Sequence, residues 1–367
     1  MRELTIDGRR IADDTPCFVI AEIGHNHQGS LERAMELFRA AKDAGVDAVK
    51  LQKRDNRHLF TRALYDSPYD NENSFGATYG EHREALELDG AAFAELQALA
   101  SELGLVFFAT AFDEASADVL AGLDLPAFKI ASGDLRNTPL LRHVAALGKP
   151  LVVSTGGATI EDVDRAVETI APLNEQVCLL QCTAAYPAAV EELNLAVITT
   201  LRERYPDYVV GLSDHQDGIA MSTVAYMLGA RVIEKHFTLS HAAKGTDHAF
   251  SLMPEGMRKL VRDLGRIPAA IGDGEKRPLA SEAKPLEKMG KKLVAARDLP
   301  AGHVLAAGDL VARSPADEGL PPYELDGLLG RPLVRALRED EAILATDVAG
   351  PSPSDTLSQA VSPATTL

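Results

Sequence analysis

The chain is poor in cysteine and has no long apolar run. Only Cys17, Cys178 and Cys182 occur among 367 residues, with no CxxC pair and no Cys/His zinc spacing, which excludes a disulfide framework and a structural zinc site. No apolar run reaches the roughly 18 residues that a membrane-spanning helix needs, and the polar N-terminus lacks the apolar core of a signal peptide. We therefore expect a cytoplasmic protein with no membrane partner.

Positive charge is also scarce. Lys and Arg total 37 against 54 Asp and Glu, which gives a formal net charge of −17. A surface of this sign repels nucleic-acid phosphates and anionic lipids, so we expect no nucleic-acid partner. The hydrophobic fraction of 46% is ordinary for a globular protein with a large core. These values favour an enzyme or a small-molecule-binding protein.

Short apolar runs alternate with helical patterns along the first part of the chain. The eight candidate strands are 17–23, 46–52, 105–110, 127–132, 150–155, 177–183, 208–213 and 231–236. Runs that are apolar throughout are typical of parallel strands covered on both faces. Helical patterns lie between them, as at 30–45, 93–104 and 160–170. Eight such units predict an α/β fold of the (β/α)8 TIM-barrel type. A doubly wound open sheet is the alternative, disfavoured because no GxGxxG follows the first strand.

Composition divides the chain into a barrel and an appendage. We predict a catalytic barrel over 1–275, a linker rich in charge, Pro and Gly over 276–291, a small, mainly β domain over 292–350 and a disordered Pro/Ser/Thr-rich tail over 351–367. Within the barrel, the interval 52–105 is too long for one helix and a turn. The segment 67–86 within this interval is rich in polar and aromatic residues, which predicts an ordered, functional loop over one end of the barrel.

Side chains capable of chemistry occur at the end of nearly every predicted strand. In a (β/α)8 barrel the carboxyl ends of the strands meet at one mouth, where the active site lies. Single polar residues could merely cap their strands, but eight strands with the same feature favour a functional site. In chain order these residues are Glu22, Lys50, Gln52, Thr110, Lys129, Ser132, Ser154, Thr155, Thr183, Tyr186, Ser213, His215, Glu234 and His236.

Two of these residues are lysines with apolar neighbours. Lys50 and Lys129, together with the nearby hydroxyls and loop amides, suit a phosphate or carboxylate. Structural ion pairs with Glu22 or Glu234 are one alternative. A Schiff-base lysine, as in barrel aldolases, is another.

Two histidines follow the last two strands. Neighbouring strands lie about 4.8 Å apart, so His215 and His236 could reach one divalent metal ion and leave open positions for substrate. The alternative is two independent polar histidines, one of them a general base.

The motifs together resemble the sialic acid synthase family. The matching text includes IAEIGHNHQGSL, DAVKLQ, FKIASGDL, PLVVSTGGAT, VGLSDH and VIEKHFTL, in the family's order, and the resemblance covers about 15–350. It implies a TIM barrel with a C-terminal antifreeze-like (SAF) domain, Mn²⁺ or Mg²⁺ as cofactor and a domain-swapped homodimer. The implied reaction condenses phosphoenolpyruvate with an N-acylated hexosamine to give a nonulosonic acid. A non-catalytic sugar-acid-binding protein is a further alternative.

The resemblance also implies roles for individual residues. Glu22 and Glu234 match acidic residues near the reacting centre, and His215 and His236 match the metal ligands, so these four are the catalytic candidates. The residues matching phosphoenolpyruvate contacts are Lys50, Thr110, Lys129, Ser132, Ser154 and Ser213, and those matching amino-sugar contacts are Gln52, Asn71 or Asn73, Tyr186, Asp247 and, from the partner's small domain, Arg313.

Two departures from the family pattern affect the substrate contacts. Ala184 stands where the family commonly has Asn or Ser, so a hydrogen bond expected near phosphoenolpyruvate is missing. The text around Arg313 is Ala-Arg-Ser-Pro rather than Lys-Arg-Pro, which shifts this arginine by one position relative to the proline.

Overall fold

The computed structural model describes residues 2–315 and 317–350. The described chain divides between Gly272 and Asp273 into two compact units. The predicted linker 276–291 belongs to the second unit and contains a short helix at 283–289. The predicted disordered tail, 351–367, lies outside the described residues. No helix within the described ranges has the length and apolar character needed to cross a bilayer.

The first unit is a closed parallel barrel preceded by an antiparallel hairpin. Strands β3 to β10 follow one another around the barrel, and β10 closes it by pairing with β3, which confirms the predicted (β/α)8 fold. The strands are β1 Glu3–Ile6, β2 Arg9–Ala12, β3 Phe18–Gly24, β4 Ala48–Lys53, β5 Val106–Ala111, β6 Phe128–Ile130, β7 Leu151–Ser154, β8 Val177–Cys182, β9 Val209–Asp214 and β10 Val232–His236.

Helices cover the outside of the barrel and occupy its connections. They are α1 Leu31–Ala44, α2 Asn56–Leu59, α3 Arg62–Tyr65, α4 Tyr79–Glu84, α5 Gly90–Leu103, α6 Glu114–Gly122, α7 Thr138–Ala146, α8 Ile160–Ile170, α9 Val197–Arg204, α10 Ala220–Met227 and α11 Pro254–Ile271. Helix α1 shows how the sequence sets their limits. The Ser30 side chain accepts a hydrogen bond from the Arg33 N–H, and Gly45 ends the helix at a φ of 87°, a conformation that favours glycine.

The barrel interior has an apolar layer below a polar layer. Ile20, Phe108 and Leu180 belong to the apolar cluster inside the barrel. Because side chains alternate between the two faces of a strand, the next inward positions towards the carboxyl ends are Glu22, Thr110 and Cys182. This alternation brings polar residues from different strands to one end of the barrel.

The N-terminal hairpin closes the opposite end of the barrel and was not predicted. Its side chains Leu4, Ile6 and Ile11 are buried in the same apolar cluster as the lower barrel layer. The local sequence contains a pattern that could have predicted this hairpin. Alternating apolar residues flank an Asp7-Gly8 pair, and both of these residues have positive φ, as two-residue hairpin turns require.

The segment between β4 and β5 is more regular than a loop. It contains the short helices α2, α3 and α4 before α5 begins. Helix α4 starts with a capping box in which Thr78 and Glu81 each accept a hydrogen bond from the other's backbone N–H. This local chemistry gives an ordered segment, as expected, but with helical turns in place of open loop.

The second unit contains few regular elements around a small apolar core. They are α12 Ala283–Met289, β11 Lys292–Ala295, β12 Leu310–Arg313 and α13 Leu325–Leu328, and β11 and β12 pair antiparallel. The core includes Leu293, Leu305, Leu333 and Ile343. The predicted small, mainly β domain is confirmed, and its regular sheet is the β11–β12 pair.

Candidate active site

A cavity of about 550 Å³ lies at the carboxyl ends of the barrel strands. Polar side chains from all eight barrel strands or the residues just after them line it, so the predicted convergence at one mouth is observed. The predicted site residues in its lining are Glu22, Lys50, Gln52, Thr110, Lys129, Ser132, Ser154, Tyr186, Ser213, His215, Glu234, His236 and Asp247.

Lys50 is held by an acid and a hydroxyl. Its Nζ lies 2.6 Å from Oε2 of Glu22 and donates to Thr110 Oγ1 at 2.9 Å. Glu22 is placed opposite Lys50 by the register of β3 and β4. The ion pair that the sequence offered as an alternative is thus present at Lys50, inside the cavity and with almost no solvent contact.

Lys129 has no such close carboxylate. Its Nζ donates to Ser154 Oγ at 2.6 Å and to the Ile130 carbonyl at 3.1 Å, whereas Oε1 of Glu234 is 3.8 Å away. The same Glu234 oxygen accepts from the Ser213 hydroxyl at 3.1 Å. Lys129 therefore lies among neutral oxygen atoms with an acid nearby, an arrangement suited to holding an additional anion.

The two buried glutamates have opposite pKa shifts. Burial raises the pKa of Glu22 despite the nearby Lys50 ammonium. Burial also acts to raise the pKa of Glu234, but the charges of Lys129 and Lys50 outweigh it and hold the pKa of Glu234 below its usual value. Burial lowers the pKa of Lys129. Environments that separate the pKa values of paired acids are typical of acid–base sites.

The two histidines meet at the cavity wall. Their ring centroids are 5.3 Å apart, and the Tyr186 ring lies 4.2 Å from that of His215. His215 Nδ1 is 2.8 Å from the Thr183 carbonyl, which can only accept, so Nδ1 donates this hydrogen bond and Nε2 is the nitrogen that faces other partners. Burial lowers the pKa of His236, and its Nδ1 has no hydrogen-bond partner.

These features fit a metal site with two protein ligands. A neutral imidazole whose other nitrogen donates to a carbonyl is the usual form of a metal-binding histidine. His236 Nδ1 makes no hydrogen bond and has Asp247 Oδ2 at 3.6 Å, so a metal could supply its missing partner. In the part of the chain that the structure describes, no three His, Cys, Asp or Glu side chains cluster as a metal site. Water and substrate oxygens would have to complete the coordination.

Three of the predicted residues converge around Gly24. A Cβ at this position would lie 3.1 Å from Glu22 Oε1, 3.3 Å from Gln52 Nε2 and 3.7 Å from Asp247 Oδ2, and the backbone φ is +53°. Gln52 Nε2 donates to Glu22 Oε1 at 2.7 Å. Glycine is required here both for the backbone conformation and for the close approach of these side chains.

Three predicted sugar contacts, Asn71, Asn73 and Arg313, do not line the cavity. Asn73 Oδ1 accepts from the backbone N–H of Gly245, which does line it. Asn71 is exposed and its side chain accepts from the Asn73 N–H. Arg313 lies on β12 in the second unit and pairs with Asp340. Direct sugar contacts by these three residues stay predictions.

Comparison with known proteins identifies the family. The model described as "NeuB family" matches residues 37–276. The chain belongs to the NeuB family. A second model, "SAF domain", matches residues 292–349, so the resemblance inferred from the motifs is confirmed for both parts of the chain.

Similar proteins cover most of this NeuB-family chain. Human N-acetylneuraminate-9-phosphate synthase is 39% identical over 92% of this chain and 94% of its own. N,N′-diacetyllegionaminic acid synthase of Legionella pneumophila is 36% identical over 89% and 93%. The solved N-acetylneuraminic acid (sialic acid) synthetase of Leptospira borgpetersenii is 30% identical, with a TM-score of 0.67 over 78% of this chain and 95% of that one.

Sequence reasoning missed a cationic part of the NeuB-family cavity. Arg54, Arg83 and Lys244 line it together with His25. Arg54 follows directly after β4, so its position beyond a strand end was a usable signal. Arg83 lies on α4 and Lys244 lies in the segment after β10, where strand periodicity gives no information.

Ala184 lies at a closely packed part of the cavity wall, beside Gly156 and Ser132. Ala184 lines the cavity. A Cβ on the neighbouring Gly156 would lie 2.7 Å from Ser132 Oγ and 3.0 Å from the Ala184 Cβ. The Gly156 N–H donates to Ser132 Oγ at 3.0 Å, so a backbone amide orients the Ser132 hydroxyl at this wall.

Proposed function

We propose that this NeuB-family protein condenses phosphoenolpyruvate with an N-acylated hexosamine and water to form a nonulosonic acid and phosphate. The observation that carries the proposal is the burial of two lysines, two glutamates and several hydroxyls around one cavity. Relatives named for N-acetylneuraminate 9-phosphate and N,N′-diacetyllegionaminic acid support this reaction over a Schiff-base aldolase or a non-catalytic binding protein.

In this proposal the lysines bind the phosphate and carboxylate of phosphoenolpyruvate. Lys129 is the better placed of the two, because its closest contacts are the Ser154 hydroxyl and a backbone carbonyl. Lys50 exchanges part of its interaction with Glu22 for the incoming anion. Thr110, Ser132 and Ser213 supply further hydroxyls, and the buried position excludes water that would weaken these contacts.

Glu22 is the proton carrier. The methylene carbon of phosphoenolpyruvate attacks the sugar aldehyde, forming a carbon–carbon bond, and the aldehyde oxygen takes a proton from Glu22. Water then adds to the former enol carbon and returns a proton to Glu22. The resulting hydroxyl gives its proton to the departing phosphate as the carbon–oxygen bond breaks. Glu234 stays ionised and holds the two ammonium groups and the Ser213 hydroxyl in place.

Gln52, Tyr186 and Asp247 orient the sugar. Gln52 and Asp247 meet at Gly24, beside Glu22, so the sugar they hold lies next to the proton carrier. Alignment of both substrates in one cavity removes much of the entropic cost of the reaction.

His215 and His236 would hold a Mn²⁺ or Mg²⁺ ion. When bound, such an ion acts as a Lewis acid on a substrate oxygen. Dialysis against a chelator should therefore abolish activity, and Mn²⁺ or Mg²⁺ should restore it. Full activity of metal-free protein would contradict the metal assignment.

The reaction is tested by product analysis. Consumption of phosphoenolpyruvate should depend on an N-acylated hexosamine, and the product mass should equal that of the two substrates plus water minus phosphoric acid. Absence of this product across a panel of such sugars would refute the proposal. A borohydride-trapped adduct on Lys50 or Lys129 would favour the aldolase.

We further propose a cytoplasmic homodimer in which the second unit of one copy serves the barrel of the other. The proposal rests on the family resemblance around Arg313.

A further inference from the structure

A buried ion pair lies directly behind the two histidines at the cavity wall. Asp214 is the last residue of β9, and Lys235 precedes His236 at the end of β10. The register of these two strands places Asp214 beside Lys235. Lys235 Nζ is 2.9 Å from Asp214 Oδ2, and the two side chains are 1% and 0% exposed. We call this contact the outer ion pair.

The outer ion pair faces the surrounding helices. Because side chains alternate between the two faces of a strand, Asp214 and Lys235 point outwards, while the histidines that follow them line the cavity. The preceding outward residues, Leu212 and Ile233, belong to the apolar cluster between barrel and helices. The Ser222 hydroxyl on α10 donates to Asp214 Oδ2 at 2.6 Å. The outer ion pair can therefore affect the cavity only through the residues beside it.

Stability alone does not account for two charges at this position. Replacement of a buried ion pair by well-packed apolar residues of similar volume is often neutral or stabilising. Apolar side chains at these two positions would continue the layer that Leu212 and Ile233 form. Apolar side chains could not supply the directional hydrogen bonds that the outer ion pair makes to the backbone.

These hydrogen bonds converge on the Gln216 backbone. Asp214 Oδ1 accepts from the Gln216 N–H at 2.9 Å, and Lys235 Nζ donates to the Gln216 carbonyl. His215 lies between Asp214 and Gln216 in the chain, so the residues on both of its sides are held. Lys235 directly precedes His236, so one ammonium group connects the two segments that carry the histidines.

A metal site with two protein ligands depends strongly on the spacing of those ligands. The ring centroids of His215 and His236 are 5.3 Å apart. A metal ion lies about 2 Å from each nitrogen that binds it, and a displacement of about 1 Å is enough to make such a site too loose. With only two histidines available, no further protein ligand would compensate for such a shift.

We propose that Asp214 and Lys235 are positioning residues for the metal site. Through its hydrogen bonds to Gln216, the outer ion pair fixes the distance between His215 and His236. The inference rests on the proposed metal site. Removal of partners that orient metal-binding histidines typically weakens metal affinity 10- to 100-fold, so the effect is measurable in the absence of substrates.

The test is calorimetric titration of chelator-treated protein with Mn²⁺. The double variant Asp214→Asn/Lys235→Met removes both charges and leaves neither unpaired, and its Kd for Mn²⁺ should rise about 10- to 100-fold. Asp214→Asn alone, an isosteric change, should weaken Mn²⁺ binding several-fold and keeps the test decisive if the double variant folds poorly. At saturating Mn²⁺ both variants should have the wild-type KM for phosphoenolpyruvate, because Lys50 and Lys129 are unchanged.

Asp13→Asn/Arg202→Met is the matched control. Arg202 Nη1 lies 2.7 Å from Asp13 Oδ1 and donates to the Gly229 carbonyl at 2.8 Å, so this pair also joins a carboxylate, a cation and a backbone carbonyl. Neither of its residues lines the cavity, and the control should bind Mn²⁺ like the wild type.

The outcomes separate the positioning role from the metal site itself. Wild-type affinity for Mn²⁺ in both Asp214 variants would overturn the positioning role. An equally large loss in the control would also overturn it, because the effect would then follow stability. Failure of the wild type to bind Mn²⁺ would overturn the proposed metal site and this inference with it, while the consumption of phosphoenolpyruvate tests the proposed reaction separately.

Discussion

Glu22 and Glu234 face the same buried lysines but differ in what else surrounds them. Glu22 has one lysine in direct contact and a Gln52 amide, and burial dominates, so its pKa is raised. Glu234 lies within 4.0 Å of both Lys50 and Lys129 and near two imidazoles, so its pKa is lowered. The residue that keeps a proton most readily is therefore Glu22.

This difference predicts distinct effects of two matched substitutions. Because the protonated form of Glu22 acts, kcat should fall as the pH rises through its raised pKa. Glu22→Gln should lower kcat by about 10² to 10⁴ and remove this pH dependence. Glu234→Gln should keep the pH dependence and alter the KM for phosphoenolpyruvate instead. The measurement is kcat as a function of pH for the wild type and both variants. A Glu22→Gln variant with the wild-type pH profile would contradict the assignment of Glu22 as proton carrier.

The connection between β3 and α1 combines functional and structural roles. Gly24 brings Glu22, Gln52 and Asp247 together. Three residues later, His27 is buried, and its Nδ1 accepts from the Gly29 N–H at 3.1 Å. Burial lowers the pKa of His27 to about 4, so the folded turn accommodates only the neutral imidazole.

Because the folded turn holds His27 neutral, we expect the free energy of unfolding of the barrel to fall in acid. The unfolded pKa of His27 is about 6.5, so between pH 6.5 and 4 the unfolded chain binds more protons than the folded chain and stability is lost as the pH falls. The loss attributable to His27 is about 3 kcal/mol. The free energy of unfolding, measured by denaturant at several pH values, should decline less steeply in His27→Asn than in the wild type. Identical slopes in His27→Asn and the wild type would contradict the prediction.

At this scale the sequence predicts the barrel and its inner site well. Continuous apolar runs locate the strands, and period-two alternation places Glu22, Lys50 and Thr110 on the inward face. Sequence patterns do not locate side chains whose position depends on contacts with residues distant in the sequence. Arg83 reaches the cavity from α4 through His25 and Arg54, and Asn73 acts on Gly245, 172 positions away. No local pattern encodes those contacts.

The whole molecule combines a strongly negative chain with a positively lined cavity. Against a net charge of −17, the lining contains five Lys or Arg residues (Lys50, Arg54, Arg83, Lys129 and Lys244) and three acidic residues (Glu22, Glu234 and Asp247). A local excess of positive charge can concentrate anionic substrates while the overall charge favours solubility.

The proposed sharing of Arg313 between two copies predicts complementation. Arg313→Ala and Lys129→Ala should each be inactive alone. Co-expressed, they should recover roughly a quarter of wild-type activity, because half the dimers are mixed and each has one intact site. The measurement is the specific activity of the co-purified protein. A mixture as inactive as either variant would show that each copy uses its own Arg313 or none.

Binding of phosphoenolpyruvate, measured by calorimetry on wild type, Lys129→Met and Lys149→Met, tests the central claim most directly. Lys149 pairs with Asp124 at the surface, away from the cavity lining, and serves as the charge-matched control. Removal of a buried charge-assisted hydrogen bond costs about 1.5–3 kcal/mol, so Lys129→Met should bind roughly 10- to 100-fold more weakly while Lys149→Met binds like the wild type. Undiminished affinity in Lys129→Met would contradict the account.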